Sequence, residues 1–158
     1  MESPSPRIVE GEVAARGRKV AIAAARFNDF IVSSLLKGAT AAFLERGGLP
    51  GDLVVARVPG AFELPVVARK MALSGRFDAV VALGCVIRGD TPHFAYVAGE
   101  CARGLQLAAL ESGIPIVFGV LTVETVEQAL ERAATTSANK GGESMETALE
   151  MAALMLKL

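Results

Sequence analysis

Residues 84–94 carry the most promising chemistry of the chain, in the order Gly-Cys-Val-Ile-Arg-Gly-Asp-Thr-Pro-His-Phe. They include His93, the only histidine of the protein. A neutral imidazole both gives and accepts a proton near physiological pH. The backbone N–H groups of Gly89, Asp90 and Thr91, with the Thr91 hydroxyl, can hold a phosphate at a helix start. The stretch therefore predicts an anion site beside a proton-transfer group, or else a plain turn in which Thr91 caps the helix. Because its charge would repel a phosphate, we expect the Asp90 side chain to face away.

Two phenylalanines and a glutamate form a second group of candidates. Phe27 and Phe62 are two of seven phenylalanines, and each follows an apolar run rather than lying inside one. A flat heterocycle can stack on such rings, and ordinary core packing is the alternative. Glu63 either complements the dipole of a helix start or accepts hydrogen bonds from ligand hydroxyls.

The remaining ionisable residues give weaker signals. Arg132 and Lys140 flank a turn and by themselves indicate no more than a solvated helix end. Cys85 has no basic neighbour that would activate it, so we predict a buried thiol rather than a nucleophile. One histidine and two cysteines without close spacing argue against a zinc site. The chain lacks the glycine-rich motifs for nucleoside triphosphates and dinucleotides.

Four apolar runs, each followed by a helical pattern, must position these residues. They cover residues 20–25, 53–58, 79–83 and 114–121. Near-continuous apolar strands are typical of a parallel sheet that is buried on both faces by helices. The pattern predicts one three-layer α/β/α domain over residues 1–158, with a four-stranded parallel sheet.

This architecture predicts where the candidates meet. Ligands of open α/β sheets bind beyond the carboxyl ends of the strands. Phe27, Phe62 and His93 follow the first, second and third runs, so we expect them at one edge of the sheet. Residues 1–7 read as a loose arm, and residues 8–13 predict a short strand that adds to a neighbouring subunit.

Composition limits the classes of partner. Hydrophobic residues make up 52% of the chain, which indicates an alanine-rich core or, as we favour, burial in a homo-oligomer. A net charge of −1 with scattered cations disfavours nucleic acid. No apolar run reaches the roughly 20 residues of a membrane helix. Two cysteines and no signal-peptide core favour the cytoplasm.

Five motifs together resemble one enzyme family. They are Arg26-Phe27-Asn28, Pro59-Gly60-Ala61-Phe62-Glu63-Leu64-Pro65, residues 84–94, Phe118-Gly119-Val120-Leu121-Thr122 and Asn139-Lys140-Gly141. In this order and spacing they resemble the 6,7-dimethyl-8-ribityllumazine synthases of riboflavin biosynthesis, which have a flavodoxin-like fold. The resemblance implies condensation of 5-amino-6-(D-ribitylamino)uracil with 3,4-dihydroxy-2-butanone 4-phosphate, without cofactor or metal. An imine forms, phosphate is eliminated, and the ribitylamino nitrogen closes the ring.

The resemblance also implies a role for each matching residue. Phe27 would stack on the pyrimidine, Asn28, Ala61, Phe62 and Glu63 would hold the ribityl chain, and Val86 and Ile87 would line the uracil edge. Gly89, Asp90 and Thr91 would hold the phosphate with Arg132 as its cation, and His93 would shuttle protons. Phe118, Arg132 and Lys140 would come from an adjacent subunit. Thr136 stands where the family often has lysine, which would make the phosphate site less cationic.

Three other functions remain open on the same fold. One is a cage-forming scaffold with little catalysis, since the family assembles as pentamers and some members pack twelve of them into a shell. Another is a lumazine- or flavin-binding carrier. The third is an archaeal-type riboflavin synthase, which the match at residues 59–63 disfavours. Intact His93 and Glu63 favour the active enzyme. The sequence does not distinguish a pentamer, a decamer and a 60-subunit cage.

Overall fold

A computed structural model describes residues 4–135 and 138–158 of the chain. Strands and helices alternate as the apolar runs predict. The elements are β1 (Val20–Ala25), α1 (Asp29–Glu45), β2 (Leu53–Val58), α2 (Leu64–Leu73), β3 (Ala79–Ile87), α3 (His93–Ser112), β4 (Ile116–Val123), α4 (Val126–Arg132) and α5 (Lys140–Lys157). Short 3₁₀ turns at Pro50–Asp52 and Ala61–Glu63 precede β2 and α2.

The four strands form one parallel sheet in the order β2-β1-β3-β4. Val20 at the start of β1 lies opposite Leu53 of β2 on one side and Ala79 of β3 on the other. The chain steps outward from β1 to β2 and then crosses back to form β3. The strand order therefore reverses between β1 and β3, and in such sheets the crevice at this point is where ligands bind.

Alternate residues of β1 face two different core layers. Val20, Ile22 and Ala24 pack in a cluster with α1, α4 and α5. Ala21, Ala23 and Ala25 pack in a second cluster with α2 and α3. All six residues of the strand are buried, which explains its uninterrupted apolar run. The three-layer α/β/α prediction is confirmed.

The third strand is longer than its apolar run suggests. Gly84 and the three residues after it pair with β4, from Gly84 opposite Val120 to Ile87 opposite Val123. A Cβ at Gly84 would lie 3.3 Å from Leu64 Cδ1, so the glycine marks a close approach of α2 to the strand rather than a turn. The first third of the 84–94 stretch is therefore sheet, and its loop is shorter than its sequence indicates.

The segment before β1 differs from the prediction of a strand. Residues 4–19 contain no strand. Lys157 Nζ donates to the Glu10 backbone oxygen at 2.7 Å and pairs with Glu12 Oε1 at 3.0 Å, which holds this segment along the end of α5. Pairing with a neighbouring subunit remains a prediction. Residues 4–7 are exposed, and residues 1–3 of the predicted arm lie outside the described part.

Strand β2 is one edge of the sheet, and its outer surface is partly open. Val54 and Val55 are 37% and 40% exposed.

Within residues 4–135 and 138–158, no helix combines the length and hydropathy needed to cross a bilayer.

Candidate active site

A cavity of about 640 Å³ opens at the carboxyl ends of β1, β2 and β3. We call it the larger cavity. Most of the predicted site residues line it: Phe27, Asn28, Ala61, Phe62, Glu63, Val86, Ile87, Gly89, Thr91 and His93. They come from three loops that are far apart in sequence. The prediction that strand-end residues meet at one edge of the sheet is confirmed, and the volume suits a small-molecule ligand.

The two phenylalanines form exposed walls of this cavity. Phe27 is 73% exposed and Phe62 is 58% exposed, so neither is committed to core packing. The backbone N–H groups of Arg26 and Phe27 donate to the carbonyls of Val58 and Pro59, at 2.7 and 2.9 Å. These bonds continue the β1–β2 ladder beyond the strand ends. They hold the Phe27 loop against the loop that carries Phe62, which leaves both rings available for stacking.

Asn28 has an unusual backbone conformation. Its φ of 61° and ψ of 44° are left-handed, a region that asparagine tolerates better than most residues. Asn28 stands at the N-cap of α1, but its side chain makes no capping hydrogen bond within the described chain. Its Nδ2 donates instead to the Cys85 backbone oxygen at 2.8 Å. The side chain thus links the end of β1 to β3 across the crevice.

An ion pair supports the same corner from outside. Arg57 on β2 pairs with Asp29, the first residue of α1, and also donates to the Ala25 backbone oxygen at 3.4 Å. The hydrogen bond from Arg57 lowers the pKa of Asp29. The pair fixes the start of α1 against β2, directly beside the Phe27 loop.

His93 is the first residue of α3, and its exposed side chain lines the larger cavity. The N-cap of this helix is Pro92, and no described side chain caps it, so the alternative role of Thr91 as a cap is wrong. Gly89 and Thr91 line the cavity beside the histidine. Asp90 is exposed and is not among the described lining residues, as its charge predicts.

Arg88 braces this loop, a role that the sequence did not reveal. Its Nε lies 2.7 Å from Glu124 Oε2, and its guanidinium carbon lies 4.4 Å from the centre of the Phe94 ring. Its backbone N–H donates to the Val123 carbonyl at 2.9 Å. These contacts tie the loop after β3 to the end of β4 and to the first turn of α3.

Tyr96 is a second lining residue that sequence reasoning missed. It is the only tyrosine of the chain and lines the larger cavity. It follows His93 by three positions on α3, a spacing that places both on one face of a helix. That spacing was the available signal.

Phe118, Arg132 and Lys140 lie elsewhere in the chain, in a smaller cavity of about 370 Å³ beside β4. Thr122, Glu143, Ser144 and Thr147 also line it. The larger and smaller cavities share no lining residue in the described part of the chain. The structure therefore separates the predicted cations from His93 within one subunit.

The two cations of the smaller cavity have weak local partners. Lys140 Nζ lies 2.6 Å from Glu143 Oε2, and Arg132 Nη1 donates to the Gln128 backbone oxygen at 3.0 Å. Both side chains are about half exposed, at 45% for Arg132 and 47% for Lys140. An exposed ion pair such as Lys140–Glu143 contributes about 0 to 1 kcal/mol, so this contact holds the ammonium group only weakly. Thr136, the predicted departure from lysine, lies outside the described residues.

The two cysteines are unsuited to nucleophilic chemistry. Cys85 and Cys101 are unpaired and buried, and burial raises the pKa of each thiol to about 11. Both are therefore protonated at neutral pH. In residues 4–135 and 138–158, no group of three or more His, Cys, Asp or Glu side chains is arranged to hold a metal ion.

Comparison with known proteins identifies the family of the chain. A family model described as 6,7-dimethyl-8-ribityllumazine synthase matches residues 17–156. A protein of Syntrophus aciditrophicus (strain SB), named 6,7-dimethyl-8-ribityllumazine synthase, is 53% identical over 153 residues. The match covers 97% of this chain and 99% of that protein. Residues 17–156, which the family model matches, include the lining residues of both cavities.

Proposed function

Since the chain belongs to the 6,7-dimethyl-8-ribityllumazine synthase family, we propose that the larger cavity binds the ribitylaminouracil substrate and hosts the reaction. The enzyme is a transferase of riboflavin biosynthesis. It condenses 5-amino-6-(D-ribitylamino)uracil with 3,4-dihydroxy-2-butanone 4-phosphate to 6,7-dimethyl-8-ribityllumazine, phosphate and water. The proposal takes residues 1–158 as one catalytic domain.

The shape of the larger cavity supports a place for each part of the uracil substrate. The Phe27 ring is exposed on one wall and stacks on the pyrimidine. The ribityl hydroxyls bond to the loops that carry Asn28, Ala61, Phe62 and Glu63. Val86 and Ile87, at the end of β3, lie along the uracil edge. The gathering of these residues in one cavity of about 640 Å³ is the observation that carries this assignment.

The loop after β3 is the proposed phosphate cradle. Backbone N–H groups of Gly89, Asp90 and Thr91 and the Thr91 hydroxyl are donors of the kind that bind phosphate oxygens. Asp90 contributes through its backbone, since its side chain is exposed. The start of α3, two residues after Thr91, adds the positive end of a helix dipole. In this proposal the phosphate lies beside His93, because Gly89, Thr91 and His93 line the same cavity.

His93 moves the protons of the reaction. Imine formation transfers a proton to the departing ketone oxygen, which leaves as water. Elimination removes a proton from carbon as the phosphate departs, and ring closure releases a second water. Each step needs a group that exchanges protons near neutral pH, which imidazole does. The two thiols cannot serve, because burial raises their pKa to about 11.

The complete site lies between two subunits in this proposal. The loop of Gly89 to Thr91 and the cation Arg132 line different cavities of one chain, which supports a site in which a neighbouring subunit supplies Phe118, Arg132 and Lys140. Large apolar side chains on the surface, such as Leu110 at 70% and Val66 at 69% exposure, provide area for subunit contacts. We infer a homopentamer, with a 60-subunit cage as its larger form. Two unpaired cysteines support the cytoplasm as its location.

Mixed oligomers test this arrangement directly. His93→Ala impairs the larger cavity, and Arg132→Ala impairs the smaller one. When the two variants are co-assembled, about a quarter of the sites in a ring of randomly mixed subunits should combine two unaltered halves. Lumazine formation, followed by absorbance, should rise well above that of either variant alone. A mixture no more active than the mean of its parents would place the whole site within one chain.

A further inference from the structure

The side-chain amide of Asn139, just before α5, makes four hydrogen bonds. Its Nδ2 donates to the backbone oxygens of Ser34 and Ala133, both at 3.1 Å. Its Oδ1 accepts from the N–H groups of Gly141 at 2.8 Å and Gly142 at 3.1 Å. A primary amide has two N–H donors and two lone pairs, so these partners use its full capacity. They also fix its orientation, because a flipped amide would oppose donor to donor and acceptor to acceptor.

The partners of Asn139 bracket the two cations of the smaller cavity. Ala133 directly follows Arg132, and Gly141 directly follows Lys140. The described part of residues 133–139 contains no helix or strand. The amide of Asn139 thus joins the end of α4 to the start of α5 and, through Ser34, attaches both to α1.

The surrounding backbone is shaped to receive this amide. A Cβ at Gly38 of α1 would overlap the Asn139 side chain, and a Cβ at Gly141 would overlap the Leu35 carbonyl. Glycines at these two positions let α5 approach α1 closely enough for Asn139 to reach the Ser34 oxygen. The position of the amide therefore depends on α1 as well as on its own loop.

We propose that Asn139 is a positioning residue, which holds Arg132 and Lys140 at the spacing that binds the phosphate of the butanone substrate. The proposal rests on the proposed function of the smaller cavity. Asn139 itself is not among the described residues that line either cavity. Its effect on the substrate therefore passes through the placement of the two cations.

Two variants displace the amide by different routes. Asn139→Ser keeps an oxygen that can cap α5 but cannot reach Ser34 or Ala133. Gly38→Ala keeps the asparagine at position 139 but displaces its amide, because the added methyl group fills the space that the amide occupies. Each should raise the KM for butanone phosphate about tenfold and change the KM for ribitylaminouracil less than about twofold. A purely structural role would lower stability without this selective effect on one substrate.

A matched control separates positioning from stability. Ala148→Gly weakens α5 at a buried position that is not a hydrogen-bond partner of Asn139 in the described chain. It should lower the melting temperature and leave both KM values unchanged. An equal rise in the KM for butanone phosphate in Ala148→Gly would overturn the positioning role.

Arg132→Ala distinguishes failure of this inference from failure of the proposed function. If Arg132→Ala raises the KM for butanone phosphate while Asn139→Ser and Gly38→Ala do not, the cavity binds phosphate and the Asn139 inference is wrong. If none of the three variants raises it, the phosphate assignment is wrong and the Asn139 inference fails with it. Because Asn139→Ser adds no bulk, it provides the test even if Gly38→Ala does not fold.

Discussion

The side-chain amide of Asn28 donates to the backbone oxygen of Cys85 at 2.8 Å, across the crevice between β1 and β3. One residue thereby closes the point of the sheet where the strand order reverses. It does so in a left-handed backbone conformation, next to the exposed Phe27 ring. The position of the Phe27 ring is thus coupled to β3, the strand that leads into the loop of Gly89 to Thr91.

We expect Asn28→Asp to lower both stability and uracil affinity. Aspartate keeps the size of the side chain but faces the Cys85 oxygen with an acceptor, which should cost about 1 to 3 kcal/mol. The KM for ribitylaminouracil should rise more than the KM for butanone phosphate. Asn28→Gly, which accepts the left-handed backbone freely, should be the more stable variant of the two. Denaturant unfolding measures the difference, and equal stability of Asn28→Asp and the unaltered protein would contradict this role.

If Arg132 binds the phosphate as proposed, Arg132→Ala should raise the KM for butanone phosphate by roughly tenfold to a hundredfold, because it removes a charge-assisted contact. The KM for ribitylaminouracil should change little. Arg103→Ala is the matched control, since Arg103 is an exposed arginine of α3 that pairs with Glu100 and is not among the described lining residues of either cavity. Steady-state kinetics with each substrate varied in turn decides the point. Equal effects of Arg132→Ala on both substrates would remove Arg132 from the phosphate site.

His93→Ala should slow the chemical step by about 100-fold, the usual contribution of a positioned acid–base group. The fold should be retained, because His93 is exposed at a helix start. Single-turnover formation of the lumazine, followed by absorbance, isolates that step from product release. Circular dichroism and a melting curve provide the control for folding. An unchanged turnover number would exclude an essential proton shuttle at this position.

The buried thiols should make the protein less stable in alkali. Burial raises the pKa of Cys85 and Cys101 from 9.0 to about 11, so the unfolded chain releases these protons at a lower pH than the native protein. Below about pH 8 they add almost no pH dependence, because both thiols stay protonated in the native and the unfolded state. Between pH 8 and pH 10.5 each should reduce the free energy of unfolding by about 2 kcal/mol.

Guanidinium unfolding at pH 8 and pH 10.5, at one protein concentration, measures this loss. The comparison is with a Cys85→Ala, Cys101→Ala double variant, which retains the other groups that titrate in alkali. The double variant should lose less stability over the same interval. An identical loss in the two proteins would show that the thiols ionise as readily in the native state as in the unfolded chain.

The sequence predicted the bounds of the strands whose paired residues coincide with an apolar run. The bounds of β1 and β2 match their apolar runs, since each run begins and ends with its strand. The start of β4 did not, because Ile114 and Pro115 continue the apolar pattern but precede the paired residues. The length of β3 was not predicted because Gly84 was interpreted as the start of a turn. In the structure this glycine lies within the strand and allows close packing with α2. Local pattern cannot distinguish these two uses of glycine.

The sequence predicted those site residues whose location follows from their position at the end of a strand. Phe27, Phe62 and His93 meet because the carboxyl ends of parallel strands share one edge. The supporting roles were not predictable, because they depend on partners distant in sequence. Arg88 pairs with Glu124, and Asn139 donates to the backbone oxygen of Ser34, 105 positions away. No periodicity marks such pairs.

The open edge of β2 has a consequence for the newly made chain. Its unpaired backbone groups, beside Val54 and Val55, are a template on which another extended segment can add as a further strand. While that edge is uncovered, the newly made chain is vulnerable to aggregation. The yield of native protein should therefore fall as the rate of synthesis, and with it the concentration of newly made chain, rises.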